Sequence, residues 1–362
     1  MSLKQFLNFT KKILCNGGLF ILLAFFTYRL VFSRLEKGQF SMLLSQVRIG
    51  YILCGFCALL LMLGAEAYNI KRNLHLLNQA AKYSTCLVYA FAGNFFSGIT
   101  PAASGGQPMQ LYLMYKNKIP ASKATLALFM DLGAYQAVIT GLGVLGYIGY
   151  SNIIHRSLGK FVPVLWLGLV INTGLLALTF CAMFSDKFIY KLVSFAAKII
   201  GVFSKKKAAT FSKAVAGAVE KYKEGAAVLK QNMGQYFLNS GIMLLRIIAM
   251  HSAPYWVYRA LGFSQTTFFE MIALQSVLYI SCAALPFPGS VGIGESIFLL
   301  YFKEIFPAGL LSGAMALSRG LGVYATIGFS GIALMLIWIL KIIKKISLGK
   351  GGKSYRLQTP RS

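Results

Sequence analysis

The chain has 362 residues, of which 57% are hydrophobic and 12% charged, with 36 Lys+Arg against nine Asp+Glu and a mean hydropathy of +0.66. A soluble domain carries about twice that share of charge, so composition excludes one and indicates a polytopic membrane protein. The formal charge of +27 would suit a nucleic-acid partner. Here, however, the cations flank apolar runs, the pattern by which positive charge sets membrane orientation and attracts anionic lipid.

In chain order, Lys4, Lys11 and Lys12 hold the N-terminus in the cytoplasm, and a first helix of about 13–32 runs outward. That run ends in Arg29 and Arg34 without a small-x-small cleavage pattern, so it reads as a membrane helix and not a signal peptide. A second helix, about 43–65, returns to an inner loop marked by Lys71, Arg72 and Lys82. A half-helix of about 84–98 then enters, breaks at 98–108, and leaves toward Lys116, Lys118 and Lys123. Helices of about 124–150 and 161–184 follow as an out-and-back pair.

Segment 185–234 holds ten lysines and three acids and is expected in the cytoplasm. On a helical wheel Lys187, Lys191, Lys198 and Lys205 oppose Phe188, Leu192, Ile199 and Phe203, which describes an interfacial amphipathic helix. A second helix of about 208–231 repeats Phe211, Val215, Tyr222 and Leu229 at helical spacing and is expected to pack on the first. A basic connector that sets topology is the plainer alternative. Helix 235–256 goes out, segment 267–285 re-enters from outside, and the chain breaks at 286–295. A last span within 310–340 returns to a basic tail, 341–362. Both termini are thus expected inside, with 1–340 forming one membrane domain. The region 296–320 fits one helix or two.

The fold class expected is all-α, a polytopic membrane helix bundle with two inverted, re-entrant, broken-helix segments. The first break reads Gly98-Ile-Thr-Pro101-Ala-Ala-Ser-Gly105-Gly106-Gln107-Pro108, and the second reads Pro286-Phe-Pro288-Gly289-Ser-Val-Gly292-Ile-Gly294-Glu295. Irregular backbone at membrane depth survives only where protein or water satisfies it. Paired breaks in two halves of a chain point to a substrate site. Helix N-termini after Gly105-Gly106 and after Gly292-Ile-Gly294 offer unpaired N–H groups to a phosphate. Alternatively, the glycines permit close helix crossings.

Ionisable residues in apolar runs are functional candidates: Arg246, Arg319 and Glu295 first, then Asp131, Glu270 and His251. An arginine in a cavity pairs with phosphate, and Glu295 or Asp131 suits a cationic headgroup or a proton. For each, a structural ion pair is the alternative. Glu66 and Arg29 lie near predicted span ends, where snorkelling to the interface is expected.

Several patterns carry no chemistry. Cys54 and Cys57 form a CxxC amid Ile52, Leu53 and Phe56 and read as small buried hydrophobes. Gly141, Gly143 and Gly146 match a dinucleotide fingerprint, but inside a membrane run they read as helix-packing positions. His75 and His155 lack zinc spacing. No catalytic residue, metal site or cofactor is expected.

Asn94-Phe95-Phe96 with Thr100-Pro101 and Gly105-Gly106-Gln107-Pro108, then Pro288-Gly289-Ser-Val-Gly292-Ile-Gly294-Glu295 and Arg319, resemble the membrane region of lysylphosphatidylglycerol synthases, a flippase-like family. The resemblance covers nearly the whole chain. It departs at Gln107, where the family often carries Glu, so a carboxylate role there is not carried over. Full-length relatives append a soluble domain that moves an aminoacyl group from charged tRNA to phosphatidylglycerol, and the tail 341–362 is too short to be one. The resemblance therefore implies a lipid-moving protein of the bacterial cell membrane.

The expected substrate-binding set is Thr100, Pro101, Gly105, Gly106, Gln107, Asp131, Arg246, Pro288, Gly289, Gly292, Gly294, Glu295 and Arg319. The expected partners are membrane lipids, anionic or aminoacylated, with no nucleic acid bound and an oligomer open. The alternative is the membrane component of a phosphatidylglycerol lysyltransferase, linked to cationic-peptide resistance, acting with a separately encoded synthase. A scaffold using the lysine-rich segment is a third reading.

Overall fold

The computed structural model describes residues 45–100, 103–185, 191, 194, 223, 224, 226–283 and 293–351. No strand occurs among the described residues, and the chain is an all-α bundle. Its helices are α1 (Ile49–Leu76), α2 (Tyr83–Ile99), α3 (Gly106–Lys116), α4 (Ala121–Leu158) and α5 (Val162–Phe184), with a 3-10 turn at Gly159–Phe161 before α5. There follow α6 (Met233–His251), α7 (Ala253–Ala260), α8 (Phe268–Ala283), α9 (Ile293–Phe302) and α10 (Ala308–Arg319). A π turn at Gly320–Tyr324 leads into α11 (Ala325–Gly351).

Proline and glycine punctuate this order. Pro120 and Pro307 stand at the N-caps of α4 and α10, and Pro163 and Pro254 lie in the first turns of α5 and α7, where a missing N–H costs no helix bond. Gly159, at φ +50°, ends α4 in a conformation that only a residue without Cβ adopts freely.

Four helical stretches, Ile49–Leu76, Ala121–Leu158, Val162–Phe184 and Ala308–Lys341, are long and apolar enough to cross a bilayer. By contrast α2, α3, α8 and α9 have 17, 11, 16 and 10 residues, short of the roughly 20 a span requires. The outward faces carry large apolar side chains, with Leu145, Ile148, Val170 and Phe237 each about two-thirds exposed. In water such a perimeter would aggregate, whereas in hydrocarbon it is the solvated surface.

The short helices are paired. Gln110 of α3 donates to the Tyr89 carbonyl of α2 at 3.2 Å, and Asn117 donates to the Tyr89 hydroxyl at 2.7 Å. Gly106 meanwhile lies against Ser97 and the Gly93 carbonyl. Rising numbers on α3 thus meet falling numbers on α2, and the two form an antiparallel hairpin. It packs on α1, α4 and α11. The second short pair, α8 and α9, packs on itself and on α4, joined by Ser281 and Tyr301 through a 2.8 Å hydroxyl bond.

The structure alters several sequence-based boundaries. The second helix, expected at 43–65, runs over Ile49–Leu76. Lys71 and Arg72 lie within it, because Arg72 is held by Asn239 at 2.8 Å and Gln235 at 2.6 Å instead of ending a span. The region 296–320 is two helices, parted at residues 303–307. Leu229, placed on an apolar helical face, is fully buried in the core containing Met130, Met183 and Tyr236. The first helix over 13–32 and its Arg29, the amphipathic helix over most of 186–222, and the tail after 351 lie outside the described residues.

Small residues set the closest crossings. Gly143 abuts Ile280, and a Cβ at Gly146 would lie 3.0 Å from Ala273 Cβ, so the false dinucleotide motif is an α4–α8 contact. A Cβ at Gly168 of α5 would collide with the Ile280 carbonyl, whereas one at Gly174, on the same helix, meets open space. Gly168→Ala is therefore expected to cost about 1–3 kcal/mol by overpacking. Gly174→Ala should be neutral or slightly stabilising, and detergent unfolding of the two variants compares them.

Candidate functional site

Two buried charge clusters stand beside one cavity. The first joins three helices. Arg246 of α6 reaches Glu66 of α1 at 2.8 Å and Asp131 of α4 at 3.3 Å. The remaining carboxylate lone pairs are met by amides: Asn94 donates to Glu66 at 2.6 Å, Gln110 donates to its other oxygen at 3.2 Å, and Asn69 donates to Asp131 at 2.7 Å. The cluster therefore ties α1, α4 and α6 to both arms of the α2–α3 hairpin. Low dielectric makes such a network strong when complete and costly when any member is missing.

Glu66 corrects the expectation of a snorkelling side chain, since it is 3% exposed and engaged on both oxygens. The misjudgement follows from the misplaced end of its helix: at residue 65 it stood at a mouth, whereas within Ile49–Leu76 it stands in the interior. A signal was available, because Glu66, Asn69 and Asn73 recur at i, i+3 and i+7 and form one polar stripe on an apolar helix. Asn239 and Arg246 do the same on α6, and Asn239 donates to Asn73 at 2.6 Å.

The second cluster pairs Arg319 with Glu295 at 3.5 Å, both largely buried. Arg319 ends α10 where the helix loosens into the π turn, a distortion frequent at functional positions. Glu295 lies in the first turn of α9, where the helix dipole favours an anion.

Between the clusters lies a cavity of about 600 Å³. Ser97, Gly98, Ala103 and Gln107 enter it from the first hairpin, and Cys282, Gly294 and Phe298 from α8 and α9. Arg319, Ser318 and Thr326 line it from the last helical stretch, and Asn94 connects its wall to the Glu66 cluster. Tyr135, Gln136, Asn172, Gln275 and Tyr279 complete a polar lining that sequence reasoning missed. Each is an isolated neutral residue in an apolar run and carries no spacing signal.

The expected site residues divide accordingly. Gln107, Gly294 and Arg319 lie on the cavity, Glu295 stands one residue behind Gly294, and Asp131 and Arg246 form the neighbouring cluster. Thr100, Gly105 and Gly106 shape the hairpin tip. The Thr100 hydroxyl accepts the Gly105 N–H at 2.9 Å, and Gly106 leaves no room for a Cβ beside Ser97. A Cβ at Gly105 would likewise meet the Thr100 side chain, so both glycines permit the tight packing of this tip. Pro101, Pro288, Gly289 and Gly292 lie outside the described residues.

Of the secondary candidates, His251 is buried, bonded to Ser276 at 2.8 Å and tilted against Tyr279. Glu270 sits in the first turn of α8, away from the cavity lining. No group of three metal-ligating side chains occurs among the described residues, and Cys54 and Cys57 face outward, not into the core as expected.

The model of the family described as the lysylphosphatidylglycerol synthase TM region matches residues 13–330, which include both breaks and Arg319. The chain belongs to that family. Comparison with curated proteins and with solved structures gives no match.

Removing Arg246 strands two buried carboxylates. Arg246→Ala is expected to destabilise the protein by about 3–5 kcal/mol. The triple variant Glu66→Gln, Asp131→Asn, Arg246→Met should lose less than the single one, because no uncompensated charge remains. Unfolding in detergent ranks the two, and equal losses would show that pairing is not what the cluster contributes.

Proposed function

We propose that this protein moves a phosphate-bearing lipid between membrane leaflets, with the headgroup in the central cavity and the acyl chains in the bilayer. The observation that supports this reading is that two pairs of helices too short to span a bilayer, α2 with α3 and α8 with α9, line one polar chamber inside an apolar bundle. In a transporter, such breaks enter from opposite faces and bring irregular backbone to the midplane. Only a cavity lining can satisfy that backbone there.

Arg319 is the cation positioned for the phosphate, and its partner Glu295 keeps it charged and oriented between cargoes. The π turn that follows supplies a helix segment able to change its hydrogen-bond register without leaving the bundle. Gln107 of α3 and Gly294 of α9 flank the headgroup. The Arg246 cluster holds the first hairpin against three helices and acts as a positioning element. The substrate reading extends to phospholipids and to the aminoacylated lipid in the family's name. The expected location is a bacterial cell membrane with both termini inside.

The family match favours a second reading, in which the chain is the membrane component of lipid aminoacylation and works with a separately encoded synthase. Membrane lipids are the partners in either case, and resistance to cationic peptides would follow from either.

Reconstitution with leaflet-labelled lipids tests the proposal, with headgroup-dependent transfer above protein-free vesicles as the expected result. Pairing Arg319→Met with Glu295→Gln, which leaves no stranded charge, should slow transfer about tenfold or more, the worth of a charge-assisted bond. Absence of transfer for every headgroup would end the reading. New lysyl-lipid made by the protein alone would move it to the enzyme class.

A further inference from the structure

We infer that the cluster of Glu66, Asp131 and Arg246 is a proton-binding site, with one exchangeable proton held on Asp131, and that translocation is coupled to a proton gradient through it. The coupling rests on the translocation reading, whereas the site itself does not.

The first observation is a charge count. Arg246 faces two carboxylates, and among the described residues no second cation pairs with either one. The other groups around the cluster are neutral or engaged elsewhere. From α2 and α3 come the amides of Asn94 and Gln110, and the Tyr89 hydroxyl is taken by Asn117. Tyr135 of α4, Tyr236 of α6 and Tyr279 of α8 lie within electrostatic reach and are phenols, uncharged at neutral pH. Of the neighbouring cations, Lys71 lies toward Cys86, Arg72 is held by Asn239 and Gln235, and Arg319 pairs with Glu295. His251 turns to Ser276. Fully ionised, the cluster therefore carries one negative charge in excess, where an uncompensated buried charge is costly. One proton removes it.

The second observation is a hydrogen-bond count. Asn69 is fully buried and its Nδ2 donates to Asp131 at 2.7 Å, yet the oxygen of the same amide has no hydrogen-bond partner. The Tyr236 hydroxyl, 2% exposed and within electrostatic reach of Asp131, is unpartnered as well. An ionised carboxylate only accepts, whereas a protonated one also donates. A half-turn of the Asn69 amide brings its oxygen to Asp131 as an acceptor. The proton that the charge count requires is thus the one that this oxygen lacks.

The two carboxylates are not equivalent. Glu66 receives Asn94 at 2.6 Å, Arg246 at 2.8 Å and Gln110 at 3.2 Å, the surroundings of an anion. Asp131 receives Asn69 and a longer contact of 3.3 Å from Arg246. Its side chain is 16% exposed against 4% for Glu66, so a proton can reach it. A metal cation is served poorly, because both Glu66 oxygens are taken and Arg246 stands beside each carboxylate.

Loss of the proton makes Asp131 a second anion competing for Arg246. The guanidinium then loosens from Glu66, to which both arms of the first hairpin are tied through Asn94 and Gln110. Asn94 also lines the cavity, so proton occupancy sets the hold on a cavity wall.

Infrared spectroscopy of the purified full chain tests the site without reference to transport. At neutral pH the carbonyl stretch of a neutral carboxyl, shifted in deuterium oxide, should be present and should disappear with alkali. Asp131→Asn should remove it. So should Glu66→Gln, because one carboxylate against one guanidinium needs no proton. A wild-type chain without the band overturns the inference whether or not the variants fold, and so does an unchanged band in either variant. A band that sodium removes at constant pH marks a metal-cation site and also overturns it. For the coupling, vesicles with leaflet-labelled phosphatidylglycerol and a clamped membrane potential are given a pH difference of one unit. With one proton moved per lipid, the leaflet ratio should shift about tenfold. Asp131→Asn should abolish that shift, and wild-type transfer that ignores the gradient overturns the coupling. If the band is present but no headgroup is transferred, the translocation reading fails while the proton site stands. Transfer without the band does the reverse.

Discussion

The bundle depends on one arginine. Arg246 sits between Glu66 and Asp131 and draws α1, α4 and α6 together in a medium that offers no water to ions. Asn94 and Gln110 reach the same carboxylate from the two arms of the first hairpin, so one cluster fixes both the helix triangle and the hairpin wedged against it. Apolar contact alone would not hold this geometry. Side chains in lipid lose little by facing hydrocarbon, so helix association there rests on close packing and polar pairing.

Small residues complete what the ions begin. Gly93 gives space to Gln110, Gly106 to Ser97, and Gly168 to the Ile280 carbonyl. Gly106 and Gly168 let two helices approach until their backbones nearly touch, and Gly93 makes room for a side chain between α2 and α3. Where these approaches stop, at the tip of the first hairpin and at the loosened turn after Arg319, the cavity opens. Ala103 takes φ +55° at the first tip, a conformation unfavourable for a residue with a side chain and retained where the surroundings enforce it. The chamber is thus a consequence of short helices that cannot fill the thickness of the bundle.

The polar residues of that chamber fall into two groups with different duties. Charged pairs are satisfied internally and hold shape. Neutral polar residues and one guanidinium line the space, while the side-chain oxygens of Gln136, Gln275 and Ser318 lie buried within the protein.

By itself the amino-acid sequence determined the class of structure. Apolar run length, flanking cations and two Gly/Pro breaks follow from the bilayer's thickness and its intolerance of unpaired backbone, and both constraints act locally along the chain. The family motifs and Arg319 were legible for the same reason, as was the false dinucleotide pattern in α4. Tertiary structure alone decided which residues meet. Glu66 and Arg246 are 180 positions apart, and nothing local marks them as partners. Gln136 and Gln275 stand alone in apolar runs and acquire meaning when α4 and α8 cross. Even the end of α1 belonged to tertiary structure, because Arg72 remains helical through the amides of α6. Pairing across a bundle depends on the crossing of distant helices, and no window along the chain contains it.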